Sequence, residues 1–125
     1  MLSIGKYFLL HIIASYTLLT EYNLEKFKSL SKVFESNFKI GVALNKKQIK
    51  QKNTREAELI KLEFSSLTAE NIMKWEEIHP NEKKYNFKFS DLLVELAIDN
   101  NQDLIGHTLV WHNQIPEWVT RNADG

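Results

Sequence analysis

The sequence predicts an α/β chain built on a parallel sheet. Three observations carry that reading. Short apolar runs alternate with helix-periodic runs, in the order strand, helix, strand, helix, strand, helix start, and that alternation argues for parallel pairing. The stretch DLIGHTLVWHNQIPEWV, residues 103–119, begins as a buried strand and ends as a loop turning into a helix. Its polar and aromatic residues gather where the strand runs out, which is where ligands sit in parallel α/β folds.

The elements follow in chain order. Residues 1–20, MLSIGKYFLLHIIASYTLLT, place Lys6 before an apolar run over 7–19. That length suits the h-region of a secretory signal and is short for a membrane span. An amphipathic or core helix is the alternative. Residues 21–36 read as a short helix, with Leu24, Phe27 and Leu30 at helical spacing. FKIGVAL, 38–44, is the first strand, and Asn45 stands at its end. The basic run KKQIKQKN that follows reads as a solvated loop rather than a nucleic-acid patch. Asn53 is placed to cap the next helix, with Glu56 completing a capping box. Ala57, Ile60 and Phe64 then share one face.

SSLTA, 65–69, is the second strand, with Glu70 and Asn71 at its end. The segment after it reads as long and irregular. Ser90 is the expected N-cap of the next helix, with Asp91 in its first turn. Leu92, Leu93, Leu96 and Ala97 form its apolar face. In the third strand, Leu104, Ile105, Leu109 and Val110 supply the bulk, and Gly106 suggests a bulge or a close backbone approach.

Composition narrows the function. The 16 basic and 16 acidic side chains balance, so no overall electrostatic footprint for nucleic acid exists. With no cysteine, disulfides, thiolate metal sites and a cysteine nucleophile are excluded. Neither a Gly-rich dinucleotide motif nor a P-loop motif follows any strand. His107 and His112 lie five apart and point to opposite faces if the strand continues, so they do not make a zinc pair.

Two constellations remain. Glu70, Asn71 and Lys74 offer an acceptor, a mixed group and a cationic donor within five residues, a set that suits sugar hydroxyls. Read by spacing alone, Glu70 and Lys74 make an i,i+4 ion pair on a helix surface. His107 and Trp111 lie four apart on a strand and share a face. They make either an aromatic sugar wall with an imidazole beside it, or a core Trp with a satisfied His.

The stretches FKIGVALN, SLTAENIMKWEEIHPNEKKYNF and GHTLVWHNQIPEWV together resemble the first three strand segments of glycoside hydrolase family 10, the endo-1,4-β-xylanases. The resemblance runs from Phe34 to the end. It implies the first three β/α units of a (β/α)8 TIM barrel, which needs about 250 residues when complete. Residues 37–125 would then be the N-terminal part of the catalytic domain, behind the signal and the 21–36 helix. The resemblance also implies a secreted or cell-envelope enzyme that cleaves internal β-1,4-xylosidic bonds of xylan with retention. It implies no cofactor, no metal, no nucleic-acid partner, no membrane contact once the signal is cleaved, and a monomer when complete.

By the same resemblance, Glu70, Asn71 and Lys74 hold a xylose two sites from the cleavage point on the non-reducing side. His107 and Trp111 line the site where the bond breaks, and Gln114 reaches the neighbouring sugar. Asn45, Trp75, His112 and Trp118 are expected to pack behind those contacts. The acid/base and nucleophile Glu end later strands, so no catalytic residue is expected here. Two positions depart from the pattern: Lys83-Lys84 stand where Gly is common, and Ile72 where an acidic residue is common. A non-catalytic carbohydrate-binding or structural remnant is the competing reading.

Overall fold

A computed structural model describes residues 28–121. The signal reading, and residues 21–27 of the 21–36 helix, lie outside the described residues; over 28–36 the helix is the single turn Leu30–Val33. Nine elements follow in order: α1 (Leu30–Val33), β1 (Gly41–Leu44), α2 (Lys46–Lys50), α3 (Arg55–Glu63), β2 (Ser66–Ala69), α4 (Trp75–Ile78), α5 (Lys88–Asp99), β3 (Asp103–Ile105) and α6 (Glu117–Thr120). The strands form one parallel sheet in the order β1-β2-β3. Gly41 to Leu44 pair with Ser66 to Ala69, and Ser66 to Thr68 with Asp103 to Ile105.

The sheet's core is small and centred on β2. Leu44, Leu67 and Leu93 are fully buried, and Ile49, Ile60, Ile72 and Ala97 close around them. Ser90, Leu93 and Ala97 of α5 recur at helical spacing and are its buried positions, so one face of that helix covers the sheet. β2 has a neighbour on each side and is buried almost throughout. β1 and β3 have one neighbour each among the described residues and are correspondingly exposed. Gly41 earns its place by close approach: a Cβ there would stand 3.3 Å from Ser66 Oγ. At Gly106 a Cβ would meet nothing within 4 Å, so the expected close approach does not occur.

Several sequence expectations are corrected. The basic run is not all loop, because Asn45 nucleates α2 across its first half. Asn45 Oδ1 accepts from the Lys47 and Gln48 amides at 3.0 and 3.1 Å, and Gln48 Oε1 accepts from the Asn45 amide at 3.0 Å. This is the reciprocal capping box that sequence reading set at Asn53 and Glu56. The cap of α3 is Thr54, whose hydroxyl accepts from the Ala57 amide at 3.1 Å. Ser90 is not a cap: α5 starts two residues earlier, and the Ser90 hydroxyl donates to the Phe87 carbonyl at 2.8 Å. The irregular stretch after β2 contains the one-turn α4.

β3 is the largest correction. It ends at Ile105 rather than running through Val110. Its only strand partner among the described residues, β2, ends at Ala69, and the Thr68 hydroxyl donates to the Ile105 carbonyl at 2.8 Å. With no ladder to join, Leu109 and Val110 are 93% and 70% exposed. Among the described residues no helix is long and apolar enough to cross a membrane.

The cap at Asn45 yields a first expected result. Asn45→Ala removes two accepted hydrogen bonds and should cost about 0.5–2 kcal/mol of stability. A thermal melt followed by circular dichroism measures it. An unchanged midpoint would show that α2 does not depend on its cap.

Candidate functional site

The carboxyl ends of β2 and β3 lead into the two segments that build the site. After β2 the chain passes Glu70 and Asn71, turns, and enters α4 with Lys74 as its N-cap. The Lys74 amide bonds to the Asn71 carbonyl at 2.9 Å, and the turn brings both side chains together. After β3 the chain runs irregularly through Trp111 to Gln114 before Pro116 opens α6.

Lys74 is the centre of the cluster. It is only 8% exposed. Its ammonium donates to Asn71 Oδ1 at 2.8 Å and to Gln114 Oε1 at 2.7 Å. The same nitrogen lies 4.3 Å from the centroid of the Trp111 ring. Among the described residues no carboxylate pairs with it. Two amide dipoles and the negative face of an indole therefore hold this cation in place of a counter-ion. An ammonium has three N–H donors. Asn71 and Gln114 take two, and the third has no hydrogen-bond acceptor among the described residues.

Gln114 is fixed from both ends. Its backbone takes φ 53°, the left-handed region that non-glycine residues enter at a cost. Its carbonyl accepts from the Glu76 amide at 3.0 Å while its side chain holds Lys74. Behind this link, the Trp118 indole N–H donates to the His79 carbonyl at 3.0 Å. The Trp118 ring meets Trp75 edge-on at 6.1 Å and lies against His79 at 4.7 Å. His112 packs edge-on against Trp111 at 5.0 Å and is exposed. Asn45 stands at the end of β1, its side-chain oxygen engaged in the α2 cap.

Asn71, Lys74, Trp111 and Gln114 thus come together. Glu70 is exposed at the end of β2, beside them in sequence. The surface Glu70–Lys74 ion pair suggested by spacing does not form, because Lys74 turns inward. His107 and Trp111 do not share a strand face, since the strand has ended before either. His107 is exposed and lines a neighbouring cleft of about 530 Å³ with Trp75, His79, Tyr85 and Phe87. Among the described residues no three of His, Asp and Glu come together as a metal ion would need.

Sequence reading missed two features here. One is the ion pair of Lys46 with Glu77, at 2.8–2.9 Å to both carboxylate oxygens. The other is the ring stack of His79, Tyr85 and Phe87, with centroids 3.9 and 5.7 Å apart. The alternation of Tyr85 and Phe87 around Asn86 was the available signal for the stack. Nothing local announces an ion pair spanning 31 residues.

Comparison with known proteins supplies the frame for these residues. The family profile for glycosyl hydrolase family 10 matches residues 29–125. Endo-1,4-beta-xylanase B of Paenibacillus barcinonensis is 42% identical over 97 residues, which are 78% of this chain and 28% of that protein. The solved endo-1,4-beta-xylanase of Caldicellulosiruptor owensensis aligns with a TM-score of 0.68 at 46% identity, over 74% of this chain and 27% of that one. Xylanase 10B of Thermotoga petrophila, solved in complex with xylobiose, aligns with a TM-score of 0.66 at 42% identity, over 74% and 29%. The chain spans a little over a quarter of the length of the relatives it matches. Its three parallel strands and their helices are a part of the (β/α)8 barrel fold. The chain belongs to glycosyl hydrolase family 10.

Proposed function

We propose that this chain forms the glycone-side part of the substrate cleft of a secreted endo-1,4-β-xylanase, one that hydrolyses internal β-1,4-xylosidic bonds with retention. The observation that carries the reading is the buried Lys74 ammonium. It is held by Asn71 and Gln114 against the face of Trp111, and one N–H remains for a sugar hydroxyl. Glu70 supplies an acceptor on the rim, and Trp111 an apolar ring face. Hydroxyls that both donate and accept match this set. His107 would join it as the bond-breaking site is completed.

Retaining hydrolysis needs two carboxyls about 5–5.5 Å apart. By the family resemblance both come from later strands, and Glu77 is engaged by Lys46. The 125 residues alone are therefore expected to release no reducing sugar from xylan, and clear release would overturn that assignment. Export is read from Lys6 and the apolar run after it. A mature N-terminus still at Met1 on a cytoplasmic product would contradict it.

Glu70→Ala tests the cleft directly. A charge-assisted hydrogen bond contributes about 1.5–3 kcal/mol, so xylo-oligosaccharide affinity should fall about ten- to a hundredfold, at roughly 1.36 kcal/mol per decade. Calorimetric titration of the chain with xylobiose and xylotetraose reads the loss. Stability should not move, because Glu70 is exposed. Equal affinities for variant and wild type would remove Glu70 from the cleft.

A further inference from the structure

The cluster around Lys74 does not end at Asn71. On its far side Asn71 also lines a hollow of about 290 Å³ with Asn45, Lys46, Lys47, Ile72 and Glu77. The hollow lies between the carboxyl ends of β1 and β2, so it continues the same face of the sheet. Its floor, Ile72, is 3% exposed and uncharged.

The charges of the hollow do not cancel. Its one carboxylate, Glu77, is held at both oxygens by Lys46. Among the described residues no carboxylate pairs with Lys47, which is exposed. Behind the lip the positive field is reinforced. Apart from Lys46, whose charge is taken up by Glu77, Lys50 and Lys88 place their ammoniums 4.9 and 6.0 Å from the Phe89 ring centroid. On a chain of balanced charge this is a local cationic rim, and it adjoins a polar side chain of the sugar cluster.

We propose that this hollow receives a carboxylate-bearing side group of the polysaccharide, a uronic acid, with Lys47 as the residue that selects it. Asn71 would then touch the main-chain sugar on one side and border the acidic group on the other. The inference rests on the xylan reading given above and adds a preference for acidic over neutral segments.

The test separates the two. The whole chain is titrated with linear xylotetraose, with xylotetraose carrying one glucuronic-acid side group, and with the methyl ester of that acid. An exposed ion pair adds little, so the acidic ligand should bind about two- to fivefold tighter than the neutral one at low salt. The ester keeps the ring without the charge and should lose that gain. So should wild type in 1 M salt, where the screening length is about 3 Å. Lys47→Gln should bind xylotetraose as wild type does and show no acidic gain. Lys52→Gln, at an exposed position outside the hollow, should keep it. Neutral binding with no acidic gain, or a gain that survives Lys47→Gln or esterification, overturns the inference and leaves the xylan reading standing. Absence of binding to xylotetraose itself overturns the xylan reading, and the inference falls with it.

Discussion

Lys74→Met should lower xylo-oligosaccharide affinity by about a hundredfold, the largest binding loss expected of any single change in the cleft. Methionine fills much of the same space but donates nothing. The direct contact to a sugar hydroxyl is lost, worth about 1.5–3 kcal/mol for a charged donor. Asn71 Oδ1 and Gln114 Oε1 lose their shared donor at 2.8 and 2.7 Å, so both amides are free to rotate away from the ligand. Trp111 loses the cation that holds its ring. Stability should shift far less than affinity. An ammonium buried to 8% exposure without a counter-ion carries its own desolvation cost, and removing it offsets part of the lost hydrogen bonding. Calorimetric titration and a thermal melt of the same sample read the two effects separately. A variant that binds normally would remove Lys74 from the site, and one that is unfolded would overturn the expectation that stability moves little.

Leu93→Ala should cost about 2–5 kcal/mol of folding stability, and that is the largest structural effect expected. Leu93 is fully buried on the face of α5 that covers the sheet. Among the described residues eight apolar residues form the buried core, so little surrounding material can move in to fill the space. A loss of that size from so small a core should make the variant unfold at much lower denaturant. Leu109→Ala is the matched control. Leu109 is 93% exposed, and its truncation should stay within about 0.5 kcal/mol. Equal effects from the two leucines would mean that the core is misassigned.

Much of the fold was legible because it depends on local pattern. Val42, Leu44, Leu67 and Leu104 mark strands by bulk, Ile60 and Leu93 mark helix faces by spacing, and the alternation of the two sets the parallel order. Capping was harder to place. Asn45, Asn53, Thr54 and Ser90 are all good capping residues, and which of them caps depends on where the neighbouring strand lets the chain go. Asn45 leaves β1 directly into a helix, which its basic followers Lys46 and Lys47 disguised.

The site was legible in its residue types and not in its geometry. Nothing in the spacing of Glu70, Asn71 and Lys74 says that Lys74 turns inward to meet a glutamine 40 residues away. The strand reading of His107 to Trp111 failed for a related reason. An apolar run becomes a strand only where it finds a ladder, and past Ile105 the described residues offer β3 none. Gln102 escaped notice altogether. Its side-chain amide donates to the Ile60 and Phe64 carbonyls at 3.0 and 2.7 Å, which closes the end of α3, and no local sequence signal marks that role.

The bracing of Lys74 has a further consequence. A free lysine side chain carries about 2 kcal/mol of rotamer entropy. Here that freedom is removed by the chain's own residues, because Asn71, Gln114 and the Trp111 ring fix the ammonium. Folding bears the ordering cost, and binding does not repeat it. On the proposed xylan reading the cleft is preorganised at this point, and the affinity a hydroxyl would gain there is not reduced by tying down its partner.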